Sequence, residues 1–357
     1  MRQIIIFFTL LIFTTPINTA FAKSPFIIDG KVIKAGDRKD IAIPIIAGKT
    51  DPKTFIPVTI IRGEGSGPTL LMVAGVHGYE FAPILAAQRL ADEIKPEGLN
   101  GTLIIVRVAH ISAFENRSPY VNPYDRKNLN RSFPGALNGT QTERIAHALS
   151  TKVIPLADVV FDVHSGDGAE WLEAFIGVYG GPLATDYPLA LSLAEAFQFP
   201  NIVRYKMKTQ EQIDKGRSLN RQAVAQGLPT LLIEIGENGK REDVHIETIV
   251  TGVKNALKHM NMRKASNPTI ALKPNYFDGT QSVPVKHSGV WTPVSSQSRF
   301  VEAGETLGVV YNYKGEPVET VKAPVSGYTL YGLAGPPVSL GESVVTIAKS
   351  VRTLDNK

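Results

Sequence analysis

The chain has 357 residues, 43% of them hydrophobic, which is enough for one large domain and a smaller one. Its 38 Lys and Arg residues only slightly outnumber its 33 Asp and Glu residues, and the surplus is spread along the chain, so nucleic-acid binding has no support. Because cysteine is absent, the sequence excludes disulfides and thiolate chemistry, and any metal must be held by histidine and carboxylate side chains.

The first 22 residues have the features of an export signal. Arg2 precedes the apolar run IIIFFTLLIF, and Ala20-Phe21-Ala22 forms an A-x-A cleavage site. The apolar run has about 10 residues, whereas a helix needs about 20 to span a bilayer. We therefore expect cleavage near Ala22, a periplasmic location and no membrane span in the mature protein.

The mature part begins with short edge strands over residues 26–62, which are rich in β-branched residues and broken by turn sequences. Continuous apolar runs follow, which are typical of strands buried on both faces. They are TLLMVAG (69–75), TLIIVRVA (102–109), VVFDVH (159–164) and TLLIEIG (230–236).

Helical patterns alternate with these runs over residues 80–94, 141–153 and 187–197. The alternation predicts an α/β fold with a mixed, largely parallel sheet sandwiched by helices. In such a fold, ligands bind at the carboxyl ends of the strands.

The composition shifts near residue 265, where ASNPTIALKPNYFDG has the character of a linker. The remaining sequence consists of strand-like pieces separated by Gly, Pro and Ser, which predicts a small all-β module over residues 270–350. We therefore divide the chain into a signal (1–22), a main domain (23–265) and the C-terminal β module (270–350). Whether this module caps a pocket or serves assembly into a homo-oligomer is left open.

A histidine and a carboxylate stand at the end of the first buried run, in GVHGYE. His77 and Glu80 lie three residues apart in the turn before a predicted helix, and His164 ends the buried run VVFDVH. A catalytic zinc takes three nitrogen or oxygen ligands and keeps one position open. The sequence therefore predicts one zinc site at this edge of the sheet. His110 also ends a strand and is a lesser candidate for the pocket lining.

A carboxylate also interrupts the apolar run PTLLIEIG. Because an unpaired buried carboxylate is costly, Glu234 must be paired or must face a polar cavity. Partial burial would raise its pKa and suit it to general acid–base catalysis. The loop 117–135 carries Arg117, Arg126 and Arg131, and guanidinium groups bind carboxylates through two hydrogen bonds.

Four of these motifs, in this order, resemble the succinylglutamate desuccinylase/aspartoacylase family, zinc deacylases related to the zinc carboxypeptidases. The motifs are HGYE (77–80), KNLNRSFPG (127–135), DVHSG (162–166) and LLIEIGENG (231–239). The resemblance covers roughly residues 60–340, including the terminal β module.

The resemblance implies that His77, Glu80 and His164 ligate zinc and that Glu234 activates the attacking water. It further implies that Asn130 and Arg131 bind a substrate carboxylate, while Arg117 polarises the scissile carbonyl, a role for which Arg126 competes. The sequence departs from the family at His110, where relatives often have asparagine, and in its export signal.

Three functions are compatible with these residues. The first is a deacylase acting on an N-acyl amino acid or a similar small anion. The second is a zinc carboxypeptidase or amidase that cuts short or cell-wall-derived peptides, which a periplasmic location favours. The third is an exported binding protein that keeps zinc without turnover. Replacement of Glu234 by glutamine would separate the last from the two enzymes.

Overall fold

The computed structural model describes residues 25–180, 187–264 and 272–350. The predicted signal (1–22) and the first part of the predicted linker (265–271) lie outside the described residues. Within the described part of the chain, no helix is long and apolar enough to cross a bilayer.

Strands and helices alternate through the part of the chain up to residue 264. The strands are β1 (Phe26–Ile28), β2 (Lys31–Ile33), β3 (Arg38–Ile45), β4 (Thr54–Arg62), β5 (Gly65–Ala74), β6 (Asn100–Val106), β7 (Val159–His164), β8 (Glu170–Leu172), β9 (Phe175–Gly180), β10 (Asn201–Lys206) and β11 (Thr230–Glu234). The helices are α1 (Phe81–Glu93), α2 (Ile111–Glu115), α3 (Gln141–Ala148), α4 (Tyr187–Phe197), α5 (Gln210–Asp214), α6 (Leu219–Ala225) and α7 (Asp243–His259). Short 3-10 turns form at Leu129–Arg131 and Ile154–Leu156, and a π turn at Leu149–Val153 continues α3.

The four predicted buried runs are confirmed as β5, β6, β7 and β11, and the three predicted helices as α1, α3 and α4. These four strands belong to one sheet, whose strands in this part of the chain follow the order β3-β4-β6-β5-β7-β11-β9-β10. The central strands β6, β5, β7 and β11 run parallel, whereas β3, β4 and the β11–β9 pair are antiparallel. The sheet is therefore mixed, as predicted.

Helices cover both faces of this sheet, because its central strands carry apolar side chains in both directions. One apolar core joins α1, α4 and α7 to the sheet, and a second joins α3 and α6 to its other face. This is the predicted sandwich, and it leaves the carboxyl edge of the parallel strands free for a site.

The C-terminal part is built from strands, as predicted. They are β12 (Asn275–Pro284), β13 (Gly289–Pro293), β14 (Phe300–Val301), β15 (Thr306–Tyr311), β16 (Pro317–Lys322), β17 (Gly327–Leu333), β18 (Pro337–Val338) and β19 (Ser343–Ser350). Strands β13, β15, β16 and β18 form a small antiparallel sheet. The linker prediction is wrong over residues 275–279, because β12 begins at Asn275 and pairs in parallel with β10. Strands β12, β19, β17 and β14 thereby extend the main sheet.

Candidate metal centre

The turn between β5 and α1 carries His77 and Glu80. Gly75 ends the strand with a φ of 69°, and Gly78 packs so closely on Ala113 that an added Cβ would lie 2.2 Å from its carbonyl carbon. Glycine meets both demands, since it has no Cβ and adopts positive φ readily. The two glycines thereby fix the backbone conformation of the turn, which places Glu80 at the N-cap of α1.

His164 reaches the same point from the neighbouring strand. Strands β5 and β7 pair in parallel, with Ala74 beside Val163, and His164 is the last residue of β7. Because the carboxyl ends of parallel strands meet at one edge of a sheet, His164 comes to lie against the turn that carries His77 and Glu80.

The three side chains converge closely. Nδ1 of His77 is 2.6 Å from Oε1 of Glu80, and Nδ1 of His164 is 2.9 Å from Oε2 of the same carboxylate. One ligand atom from each residue lies within 4.8 Å of the other two, and all three side chains are buried. Among the residues that the structure describes, this is the only such cluster of three or more histidine, aspartate or glutamate side chains.

The electrostatics of the cluster favour a cation. Burial by itself raises the pKa of Glu80, but His164 and His77 outweigh it and lower the pKa to about 2. Burial by itself lowers the pKa of His164, but Asp162 and Glu80 outweigh it and raise the pKa well above its ordinary value. Both shifts show that the carboxylates stabilise positive charge between the ligand atoms.

The outer ring nitrogens face hydrogen-bond acceptors. Nε2 of His77 is 3.1 Å from Oδ1 of Asn128, and Nε2 of His164 is 2.8 Å from Oδ1 of Asp162. When a metal takes Nδ1 of both rings, the ring hydrogens would lie on Nε2, where these oxygens can accept them. Asp162 is itself fixed, because its Oδ2 accepts from the backbone and side-chain amides of Asn220 at 3.2 and 2.9 Å.

These residues fit zinc. Nδ1 of each ring lies 2.6 or 2.9 Å from a Glu80 oxygen, an arrangement that is stabilised by a proton on Nδ1 or, in its place, by a metal ion bound between the same atoms. Two imidazole nitrogens and a carboxylate are a common donor set for catalytic zinc, which keeps one further position open. His77, Glu80 and His164 would hold the ion.

Glu234 lies beside this cluster. It ends β11, where it pairs with His164 across the parallel β11–β7 ladder, and it lines the same cavity. Burial raises the pKa of Glu234 well above its ordinary value; Glu80 and Glu170 add to the rise, and His164 opposes it. A carboxylate with a raised pKa at such a centre can accept a proton and return it.

The cavity above the cluster has a volume of about 160 Å³. Asn130 and Arg131, from the predicted motif, line it. Asn130 is buried, and its Oδ1 accepts a hydrogen bond from the backbone of Leu219 at 2.9 Å, so its side-chain amide nitrogen is left for the cavity. Arg131 is exposed, and its guanidinium donates to the carbonyl of Asn130 at 2.8 Å.

Three other predicted residues lie outside the cavity lining. Arg117 and Arg126 are exposed residues with φ of 49° and 58° in the loop after α2. His110 is fully buried at the start of α2, and its burial, assisted by the charge of His77, lowers its pKa to about 4. The structure does not bring these residues into the cavity lining, and the roles suggested for them stay predictions.

Sequence reasoning missed several residues of the site. Asp162 and Asn128 had a signal, because Asp162 shares a strand face with His164 and Asn128 lies inside the KNLNR motif. Tyr120, Glu170 and Tyr331 also line the cavity, and their local sequence gives no indication of it. Tyr331 comes from β17 and stacks on Phe175, with ring centroids 6.2 Å apart, so the C-terminal part closes one wall of the cavity.

A zinc ion held by three ligands beside a carboxylate that accepts protons is suited to activating water. The fold and the site together therefore define a class of protein, the metal-dependent hydrolases.

Comparison with known proteins narrows this class. The family model for the succinylglutamate desuccinylase/aspartoacylase catalytic domain matches residues 66–260, more than half of the chain. The chain therefore belongs to the succinylglutamate desuccinylase/aspartoacylase family of zinc deacylases, and the family resemblance seen in the four motifs is confirmed.

Individual relatives agree with this assignment. The N-alpha-acetyl-L-2,4-diaminobutyric acid deacetylase of Halomonas elongata is 28% identical over 308 residues, covering 84% of this chain and 87% of the relative. The crystal structure of a succinylglutamate desuccinylase/aspartoacylase from Rhodobacter sphaeroides has a TM-score of 0.78 at 23% identity, covering 88% of this chain and 96% of that one. The product-bound ectoine utilization protein EutE of Ruegeria pomeroyi also has a TM-score of 0.78, at 22% identity, covering 92% and 100%. The last two likenesses concern the fold.

Proposed function

We propose that the protein hydrolyses the amide bond of a small N-acyl amino acid, with zinc held by His77, Glu80 and His164. The observation that carries this proposal is the position of Glu234, a carboxylate of raised pKa, directly beside His164 at the metal cluster. The diaminobutyric acid deacetylase of Halomonas elongata supports the choice of an N-acyl amino acid, because it resembles this chain over most of both lengths.

The residues of the chain have separable tasks in this reaction. Zinc, when bound, supplies a Lewis acid that polarises a carbonyl and lowers the pKa of water. Glu234 accepts the proton of the attacking water, and it delivers that proton to the amine nitrogen as the carbon–nitrogen bond breaks. Asn130 and Arg131 orient the substrate through its carboxylate. Water and the amide thus yield a carboxylic acid and a free amine.

The size of the cavity favours a small substrate over a peptide. Pockets for drug-sized ligands usually enclose about 300–1,000 Å³, whereas this cavity has a volume of about 160 Å³. Leu172 and Tyr331 close its wall with carbon-rich surface. An N-acyl amino acid with a short side chain is closer to this volume than a peptide chain is.

We also propose that the protein is exported and cleaved near Ala22. Support comes from the sequence alone, from Arg2, the short apolar run and the A-x-A site. Amino-terminal sequencing of the protein recovered from a periplasmic fraction tests this proposal. A chain that begins at Met1 and stays with the cytoplasmic fraction would contradict it.

The activity is tested with zinc-loaded protein and a panel of N-acyl amino acids, short peptides and D-amino-acid cell-wall fragments, with released amines detected by mass spectrometry. We expect release from N-acyl amino acids. Release from peptides alone would instead place the protein among the peptidases, and silence across the panel with zinc bound would favour a binding protein.

Three variants test the residue roles. Glu234→Gln should lower kcat by about 10²–10⁴-fold, the usual contribution of general acid–base catalysis, while zinc stays bound. Glu237→Gln, three residues further along and outside the cavity lining, is the matched control and should leave kcat unchanged. His77→Ala should lose stoichiometric zinc. Full activity in Glu234→Gln would overturn the assignment of the base.

A further inference from the structure

The cavity wall contains a carboxylate that no described residue neutralises. Glu170 begins β8, and the alternation of side chains along a strand places Glu170 and Leu172 toward the cavity and Trp171 behind the wall. Trp171 is buried accordingly. The carboxylate of Glu170 takes part in no hydrogen bond or ion pair with the described part of the chain.

The backbone holds Glu170 in a fixed place. Its amide donates to the carbonyl of Asp167 at 3.2 Å, and its carbonyl accepts from the amide of Asn238 at 2.8 Å. Strand β8 also pairs with β17, with Glu170 opposite Leu333. A residue whose backbone is fixed in this way costs less free energy to order on ligand binding than a residue on a mobile loop.

Acidic side chains are concentrated on this side of the cavity. Burial raises the pKa of Glu170 to about 8, and the charges of Asp167 and Glu80 add to the rise. Asp167 is 1% exposed, and its Oδ2 has no hydrogen-bond partner. Burial, with Asp167 and Glu170, also raises the pKa of the Tyr120 hydroxyl. A positive charge placed on the cavity side of Glu170 would stabilise its ionised form and lower this pKa.

The rest of the lining offers few positive charges to a substrate. Among the described residues that line the cavity, Arg131 is the only lysine or arginine. It can bind one substrate carboxylate. A second carboxylate would have no cationic side chain to meet, and near Glu170 it would be repelled.

A second metal ion does not explain Glu170. The cluster of His77, Glu80 and His164 is the sole grouping of three or more potential ligands within the described part of the chain. A single carboxylate, free on its cavity side, suits a monovalent group that brings its own hydrogen-bond donors. An ammonium group has three donors and one positive charge.

We propose that Glu170 binds an ammonium group of the substrate, so that the preferred substrates are N-acyl diamino acids carrying one carboxylate and one ammonium. The proposal rests on the amide hydrolysis proposed above and names its substrate class. Arg131 takes the carboxylate and Glu170 takes the side-chain ammonium. Glu170 is a specificity-determining residue and has no part in proton transfer.

The test compares three acetylated amino acids of similar size on the zinc-loaded full chain. They are Nα-acetyl-L-2,4-diaminobutyrate, Nα-acetyl-L-norvaline, in which a methyl group replaces the ammonium, and Nα-acetyl-L-glutamate. We expect kcat/KM to fall in that order, with about 10- to 100-fold between the first two, as one hydrogen bond to a charged group implies. In Glu170→Gln the ratio between the first two should approach one, and Glu170→Lys should favour the glutamate.

Glu173→Gln is the matched control, because Glu173 is half-buried on the same segment but outside the cavity lining. It should keep the ammonium preference of the unmodified protein. A purely structural role of Glu170 would lower the rates for all three substrates together and leave their ratio unchanged. A ratio near one in the unmodified protein, or a preference that survives Glu170→Gln, would overturn the proposal.

Binding of the product amines separates this proposal from the proposed reaction. Calorimetry on the zinc-loaded chain compares L-2,4-diaminobutyrate with L-norvaline, and neither measurement requires turnover. Tighter binding of the diamino acid that is lost in Glu170→Gln supports the role of Glu170, whether or not the acetylated substrates are hydrolysed. If every acetylated substrate is inert, only the proposed hydrolysis is refuted. Equal binding of the two amines, or binding of neither, refutes the role of Glu170.

Discussion

Replacement of Asp162 by asparagine tests whether the metal site depends on the residues behind its ligands. Oδ1 of Asp162 lies 2.8 Å from Nε2 of His164, and Oδ2 accepts two hydrogen bonds from Asn220. Oδ2 therefore carries two hydrogen bonds, and Oδ1 lies within ion-pair distance of the ring nitrogen. An asparagine has one oxygen and one amino group, so in either orientation it sets a donor against a donor.

The loss can be estimated from this geometry. Removal of the acceptor behind a metal-ligating histidine typically weakens metal binding about 10- to 100-fold, which corresponds to about 1.4–2.7 kcal/mol. Because Asp162 is fully buried, the unpaired donors also lower the free energy of unfolding by about 1–3 kcal/mol. We expect the zinc Kd of Asp162→Asn to rise within the 10- to 100-fold range.

Competition with a chromogenic chelator measures the zinc Kd. The titration is repeated at several pH values, because protons compete with the metal for His164. Asp214→Asn is the control, since Asp214 is an exposed aspartate on α5 whose carboxylate bonds only to Gln210 within the described residues. A Kd for Asp162→Asn within about twofold of the control, in a protein with an unchanged unfolding midpoint, would refute the reasoning.

Three further predictions concern the surroundings of the site. Gly78→Ala should weaken zinc binding about tenfold or more, because the added Cβ would lie 2.2 Å from the Ala113 carbonyl carbon and displace the turn that carries His77. The Kd is measured by the same chelator titration, and Gly335→Ala is the control because there is space for its Cβ. Arg144→Met should lower the free energy of unfolding, measured in urea, by about 3–5 kcal/mol, because it leaves the buried Asp51 carboxylate without its ion pair. Lys215→Met, which removes the exposed pair with Glu211, should lower it by less than about 1 kcal/mol. In metal-free protein, the raised pKa of Glu170, about 8, means that the folded state keeps a proton that the unfolded state releases near its ordinary value of 4.5. Stability from this group should therefore be full at acidic pH and fall as the pH rises toward 8, and a Glu170→Gln protein with the same slope in its urea midpoints would contradict this sign.

The sequence predicted the elements whose pattern is local. The buried strands β5, β6, β7 and β11 are continuous apolar runs, and α1 shows its apolar stripe. Helix α7 was not predicted, although its buried Ile246, Ile249, Val250 and Val253 have helical spacing, because polar residues between them mask the pattern. Strand β12 was missed because Pro274 and Gly279 give the segment the composition of a turn.

The residues of the site also divide into those that a local pattern predicts and those that it does not. His77, Glu80 and His164 were found because each follows a buried strand, and strand ends meet at one edge. Glu170 and Tyr331 belong to β8 and β17, two strands that meet only through long-range pairing, with Tyr331 opposite Leu172. No local pattern encodes such a pairing, so this wall of the cavity could not be predicted from the sequence. Arg117 and Arg126 show the converse, because their charge was plain in the sequence, whereas their position outside the cavity lining was not.

The pairing of β10 with β12 makes the predicted boundary near residue 265 a poor place to divide the chain. Asn201, Ile202 and Val203 lie opposite residues 275–277, so a chain ending at residue 264 would present the β10 edge as unpaired backbone, a template for aggregation. The same truncation would remove the partner strand of β8 and leave Glu170 and Leu172 without support. Exchange of the C-terminal segment between relatives would therefore alter substrate choice as well as stability, and chimeras joined at this point are expected to inherit their selectivity from both parents.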